Sequence, residues 1–215
     1  MKPLSRLLLS LLLLLALLSG GGAPKVEAAP TSAYDTAQAT YKIVAYDSNP
    51  FLRGEGLWSG TAWKVSPDEM VTAGHVCDPD GGPVPVFRVF NIKGQSWPAE
   101  VIAWERDDGH DLCVLKADPP GPFLTLAPDL PAYDSPLFFV GAPYGIWGED
   151  MRPIYHGRYA GGGLAVIGGG PGASGSAMQS EQGVIGVLVA GIPGTQLIFF
   201  IPLQALRAFL DENGV

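Results

Sequence analysis

Gly168-Gly169-Gly170-Pro171-Gly172-Ala173-Ser174-Gly175-Ser176-Ala177 is the stretch on which the fold of this chain turns. Five glycines and one proline in ten residues leave no room for a regular helix or strand. The segment is a tight turn whose backbone reaches φ/ψ values closed to residues that carry a Cβ. Such a turn can present one serine hydroxyl, Ser174, and aim backbone N–H groups at a single point beside it. Nucleophilic attack by serine on a carbonyl needs both features, because negative charge develops on the carbonyl oxygen as the bond forms.

A serine hydroxyl is a poor nucleophile without a base within hydrogen-bond reach, and imidazole is matched to neutral pH. The imidazole in turn needs a carboxylate on its far nitrogen to fix the tautomer. Moving outward from Ser174, two segments supply these groups: Val71-Thr72-Ala73-Gly74-His75-Val76-Cys77 and His110-Asp111-Leu112-Cys113-Val114-Leu115-Lys116. Asp107 and Asp108 are rival carboxylates, but they precede the strand and suit a solvated turn, so Asp111 is the expected partner of His75. His110 and His156 are read as surface or strand histidines. Trp58, Trp63, Trp97, Trp104 and Tyr144 are read as core and rim aromatics.

Around these motifs the chain is punctuated by glycine and proline into short β-branched runs. Strands are expected at Tyr41–Tyr46, Gly60–Val65, Val84–Asn91, Ala99–Trp104 and Leu112–Leu115. A second set is expected at Leu137–Val140, Ile154–Tyr159, Leu164–Ile167, Gly183–Val189 and Gln196–Ile201. Between the sets, Pro119 to Pro136 contains six prolines and reads as a crossover between two β-halves of one compact body. Pro202 followed by Leu203, Leu206, Phe209 and Leu210 has helical spacing, with Gly214 past the end. Many short strands and one C-terminal helix describe an antiparallel barrel protein. No internal repeat is visible at residue level.

The order His, Asp, Ser excludes the subtilisin and α/β-hydrolase arrangements. The three segments resemble the triad motifs of trypsin-like (chymotrypsin-fold) serine proteases, and among these the bacterial HtrA-like subgroup. Ser59-Gly60-Thr61 resembles the glycine-containing strand ahead of the His motif. Phe139-Val140-Gly141-Ala142-Pro143-Tyr144-Gly145 resembles the turn opening the second barrel, and Phe200-Ile201-Pro202 with its helix resembles the usual C-terminal closure. The resemblance covers roughly residues 41 to 212.

It implies an all-β fold of two six-stranded antiparallel β-barrels with a C-terminal helix. The N-terminal barrel would span about 41–118, the C-terminal barrel about 135–202 and the helix 203–212, behind a flexible lead-in at 29–40. It further implies His75 as general base, Asp111 as its orienting carboxylate and Ser174 as nucleophile, with the N–H groups of Gly172 and Ser174 as oxyanion donors. Val189-Ala190-Gly191 would pair with substrate as an added strand, and the primary pocket would have its base near Gly168. No carboxylate lies in residues 161–172, so a small or medium apolar residue is expected at the cleavage site. No PDZ module is expected after the C-terminal helix.

The sequence departs from the pattern at two places in the nucleophile loop. Ala173 stands where trypsin-type zymogens carry the aspartate that pairs with a newly cut N-terminus, so an enzyme assembled without processing beyond leader removal is expected. Ser176 stands where glycine is commoner. Cys77 and Cys113 lie two residues after the His and the Asp. A bridge between them would staple base to carboxylate; the alternative is two separate buried thiols.

Composition sets the outer limits. The chain has 215 residues, 47% apolar and 16% charged, with 29 glycines and 20 prolines, which fits one globular domain with its appendages. Lys2 and Arg6 precede an almost unbroken leucine run from Leu7 to Leu18, too short to cross a bilayer core of ~30 Å as a helix. Residues 1–28 therefore read as a signal peptide cut after Ala28, with a retained N-terminal anchor as the alternative. Its removal takes away Lys2, Arg6, Lys25 and Glu27, leaving 10 basic and 20 acidic residues and a formal charge of -10. That charge disfavours nucleic acid and anionic membrane as partners of the mature chain.

The expected function is a secreted or periplasmic serine endopeptidase acting on protein or peptide substrates, with no cofactor and no metal. The alternatives are a catalytically inactive peptide-binding relative of the same fold and an acyl hydrolase acting on esters.

Overall fold

A computed structural model describes residues 32–48, 56–78, 85–107 and 109–215. The leader, its cleavage point at Ala28 and Asp108 lie outside the described residues.

Twelve strands form two closed antiparallel barrels. The first contains β1 (Thr40–Tyr46), β2 (Gly56–Lys64), β3 (Glu69–Thr72), β4 (Val86–Phe90), β5 (Ser96–Asp107) and β6 (His110–Lys116). The second contains β7 (Pro136–Val140), β8 (Ile154–Gly161), β9 (Leu164–Val166), β10 (Ala177–Ser180), β11 (Gly183–Gly191) and β12 (Leu197–Pro202). Around the first barrel the order is β1-β2-β3-β6-β5-β4, and around the second β7-β8-β9-β12-β11-β10. The wiring is the same in each half, so the repeat absent from the residues is present in the topology. This is the chymotrypsin-like fold.

Two strands escaped the sequence pattern. Residues Met70 to Thr72 of β3 are all buried, and so are all four of β10. Val71 and Thr72 belong to the His75 segment and Ala177 to the Ser174 turn, and β10 carries no β-branched residue. From β1, Tyr41, Ile43 and Ala45 enter the first barrel's core with Phe87, Val89 and Leu115. The second barrel is filled by Leu137, Phe139, Tyr159, Ile167, Met178 and Phe200. A third cluster lies between the barrels and joins Trp63, Val71 and Val114 to Val184, Val187 and Ile201. The C-terminal helix α3 (Leu203–Glu212) seals it with Leu206, Phe209 and Leu210.

The segment expected as a flexible lead-in differs over residues 33–39, which form helix α1 (Ala33–Ala39). Ser32 caps it, its Oγ accepting from the Asp35 N–H at 3.1 Å, with Asp35 in the favourable first turn. Thr36, Ala37 and Ala39 are buried, and Gln179 of β10 donates to Thr36 Oγ1 at 2.8 Å. The small polar residues that looked structureless are small because the helix packs closely.

The Pro-rich crossover is likewise ordered. Lys64 is buried, and its Nζ donates to the Pro119 carbonyl at 2.6 Å and the Gly121 carbonyl at 3.4 Å. Burial lowers the pKa of this ammonium, against the raising influence of Asp118 and Asp68. Farther along, Thr125 and Ala127 exchange backbone hydrogen bonds with Val184, and Arg207 of α3 donates to the Ala127 and Pro128 carbonyls.

Candidate active site

His75 sits in a single helical turn, α2 (Gly74–Cys77), that follows β3. Gly74 is required there by close approach: a Cβ on it would lie 2.0 Å from the Glu105 carbonyl oxygen and 3.0 Å from Asp111 Oδ1. The turn is thereby pressed onto the β5–β6 pair, where Asp111 lies opposite Arg106. Asp111 uses both carboxylate oxygens on one residue. Its Oδ2 lies 2.7 Å from His75 Nδ1, and its Oδ1 accepts the His75 backbone N–H, also at 2.7 Å. The pair is partly covered, with 29% of the His75 and 22% of the Asp111 side chain exposed. Asp107 is 76% exposed and faces His110, and His110 also meets Glu105 at 2.8 Å. His156 lies on β8 against Phe138. Of the three histidines only His75 meets Asp111.

A disulfide joins Cys77 to Cys113, with Cα atoms 6.4 Å apart. It ties the end of α2 to β6, two residues beyond His75 and two beyond Asp111.

Ser174 is carried by the second barrel and reaches the first through the hydrogen bond from Thr61 N–H to the Ser174 carbonyl at 2.8 Å. Its Oγ faces the Val189 carbonyl oxygen at 3.5 Å, and among the described residues it makes no hydrogen bond to His75. The loop around it is defined by where its carbonyls go. Gly170 O accepts from Ala173 N, Pro171 O from Tyr144 N, and Ser174 O from Thr61 N. Gly172 O accepts from Thr61 Oγ1, and Ala173 O from both the N–H and the hydroxyl of Ser176. Gly172 adopts φ +91°, the left-handed region that glycine tolerates without strain. Among the described residues the N–H groups of Gly172 and Ser174 have no acceptor.

Beside Ser174 opens a cleft of about 460 Å³ walled by Gly169, Gly170, Leu188, Ala190, Ile192, Leu197 and Ile198, with no charged residue among the described residues of its lining. Gly168, expected at its base, lies outside that lining, where a Cβ would meet the Tyr155 ring at 3.5 Å instead. Its neighbours Gly169 and Gly170 line the cleft. Ala190 and Gly191 line the cleft; Val189 contributes its carbonyl beside Ser174. On one side β11 pairs with β12 as far as Gly191, but on the other it pairs with β10 only as far as Val187. Among the described residues, that edge from Val189 to Gly191 has no strand partner.

Two further contributors shape the site, read in the sequence only as a rim aromatic of the second-barrel turn and as part of a glycine-containing strand. Tyr144, 71% exposed and at φ 54°, lays its ring over Gly170 at the cleft mouth. Thr61 reaches the nucleophile loop from the other barrel. Neither carries a signal in its neighbours along the chain, because each acts on residues far away in sequence.

The sequence pattern of the trypsin-like peptidase domain matches residues 60–187, a span that includes His75, Asp111 and Ser174. The chain belongs to that family. Its fold matches the crystal structure of the serine endoprotease from Yersinia pestis with a TM-score of 0.69 at 19% identity, over 86% of this chain and 67% of that one. By family the chain carries a trypsin-like peptidase domain, and by fold it is similar to a serine endoprotease. No curated protein matches the sequence. The fold is shared by 976 solved chains, so it decides no substrate.

Among the described residues no cluster of three His, Cys, Asp or Glu has the arrangement of a metal site, and no helix is long and apolar enough to cross a membrane. The disulfide suits an oxidising compartment, extracellular or periplasmic.

Proposed function

We infer that this protein cleaves peptide bonds through an acyl-enzyme on Ser174. The hydroxyl rotates from the Val189 carbonyl toward His75, gives its proton to the free imidazole nitrogen, Nε2, and attacks the substrate carbonyl carbon. Asp111 holds the Nδ1–H tautomer and stabilises the imidazolium that forms. The N–H groups of Gly172 and Ser174 receive the oxyanion. His75 then protonates the departing amine, and water hydrolyses the ester by the reverse proton path. The observation that carries this is the 2.7 Å pairing of His75 with Asp111 while two N–H groups flanking the serine lack acceptors.

The uncharged, aliphatic cleft supports a small or medium apolar residue on the acyl side of the scissile bond. The unpaired edge of Val189–Gly191 supports binding of that side of the substrate as an added strand. Residues 1–28 act as an export signal cut after Ala28, in keeping with the disulfide of the mature chain. N-terminal sequencing of the exported protein should begin at Ala29; a chain still starting at Met1 would refute the cleavage.

The direct test compares the mature protein with Ser174→Ala for reaction with a fluorophosphonate and for casein degradation. Both should be present in the first and absent in the second. A wild-type protein that does neither would be a peptide-binding relative, and reaction with esters alone would make it an acyl hydrolase. Peptide-library profiling dominated by basic or acidic residues would overturn the apolar preference.

A further inference from the structure

The two N–H groups beside Ser174 point where they do because the carbonyls of the same peptide units are tied elsewhere. In a trans peptide the N–H and C=O point in opposite directions. Fixing Pro171 O therefore aims Gly172 N–H, and fixing Ala173 O aims Ser174 N–H. Between these two units lies a third, Gly172–Ala173. Rotating it would carry both flanking N–H groups out of line.

That middle unit is held at its N–H by Gly170 O within the loop, and at its carbonyl by a residue of the other barrel. Thr61, on β2 and fully buried, accepts from the Ala142 N–H at 2.9 Å and donates its hydroxyl to Gly172 O, also at 2.9 Å. Its backbone N–H holds Ser174 O at 2.8 Å. Its carbonyl is occupied in turn by the Thr72 hydroxyl at 2.7 Å, which ties it to the strand leading into His75. Ala142 belongs to the segment that also supplies the Tyr144 N–H to Pro171 O. One hydroxyl thus joins the β7 exit loop, the nucleophile loop and the barrel that carries the base.

We propose that Thr61 is a positioning residue for the oxyanion donors, acting through its hydroxyl on the Gly172 carbonyl. It touches no substrate. Its role rests on the endopeptidase activity inferred above, because it is read out only through stabilisation of the tetrahedral state. Losing one oxyanion donor outright lowers kcat by ~10²–10³. Loosening both without removing either should lower it by about 10–100-fold.

The test uses Thr61→Val, which keeps the shape and removes the hydroxyl, and Thr61→Ser, which keeps the hydroxyl and removes the methyl. Thr61→Ser should stay within about threefold of wild type. Thr61→Val should lose kcat about 10–100-fold with KM changed less than about threefold. Its affinity for a peptide boronate, a tetrahedral mimic, should fall in parallel, while affinity for a cleaved product peptide stays flat. If Thr61→Val does not fold, Thr61→Ala is read in the same way, with thermal melting recorded for each variant. A merely structural role would lower the melting temperature and leave boronate affinity and kcat of the folded fraction unchanged, which would overturn the proposal. Wild-type protein inert toward fluorophosphonate and casein would overturn the endopeptidase reading itself. Wild-type turnover with an equally active Thr61→Val overturns only the role of Thr61.

Discussion

The base and the nucleophile are held by different kinds of bond. On the first barrel, His75 is fixed by both oxygens of one carboxylate, and a disulfide lies two residues beyond each partner. On the second barrel, Ser174 sits in a loop shaped by hydrogen bonds to its carbonyls, with Thr61 and Tyr144 supplying partners from outside the loop. An imidazole needs one tautomer and one direction, which a rigid clamp provides. The nucleophile loop has to keep N–H donors free, and occupying the carbonyls on their far sides achieves that without occupying the donors. The difference can be tested by loosening each side separately.

The largest effect is expected on the base side. In Asp111→Asn one oxygen can still accept the His75 backbone N–H, but the amide nitrogen then faces Nδ1 and donates to it. The imidazole is forced into the wrong tautomer, and kcat should fall by ~10³–10⁴ with the fold intact. A loss below tenfold in a folded variant, measured on a peptide ester and on fluorophosphonate labelling, would contradict the assigned role. Next in size is the disulfide. The double variant Cys77→Ser/Cys113→Ser should lose about 3–4 kcal/mol of unfolding free energy in urea titrations, from a loop of 36 residues. Equal midpoints for oxidised and reduced wild type would show that the bridge adds nothing.

A smaller effect marks the interior of the first barrel. Tyr41 is fully buried, its hydroxyl donates to Pro120 O at 2.6 Å, and burial pushes its pKa up to about 12. A folded-state value above that of the unfolded chain gives stability that is whole below pH ~10 and lost as pH rises toward 12. Unfolding free energies from urea titrations should therefore fall over that window by up to roughly 2–3 kcal/mol, and Tyr41→Phe should flatten the fall. The smallest effect concerns the second barrel's outer support. Thr36→Val leaves the buried Gln179 amide without its partner and should destabilise by about 1–2 kcal/mol while leaving kcat unchanged. A marked loss of kcat would mean that α1 does more than pack.

The chemistry was more legible in the sequence than the mechanics. His75, Asp111 and Ser174 each carry a local signature, because a partly covered carboxylate, a pinned imidazole and a glycine turn constrain their immediate neighbours. Ten strands announced themselves as short β-branched runs between Gly, Pro or Asp, and α3 by its apolar spacing. Strands β3 and β10 did not, because they run into the His75 segment and out of the Ser174 turn. Helix α1 was hidden because Thr36, Ala37 and Ala39 are small for packing, and small polar residues also compose flexible leaders. Thr61 and Tyr144 were invisible as contributors for a different reason. Their partners in the loop around Ser174 lie more than twenty residues away, and only the closing of the barrels brings them together.

The division of labour between the barrels also orders events in time. A chain made from its N-terminus completes the strands that carry His75 and Asp111 before Ser174 has been synthesised. The oxyanion donors are not aimed until β2 of the finished first barrel meets the nucleophile loop of the second. On the proposed mechanism neither half alone carries a complete site, since His75 and Asp111 stand on the first barrel and Ser174 on the second. On that mechanism a nascent or half-unfolded molecule would spare its neighbours, with assembly itself as the safety catch.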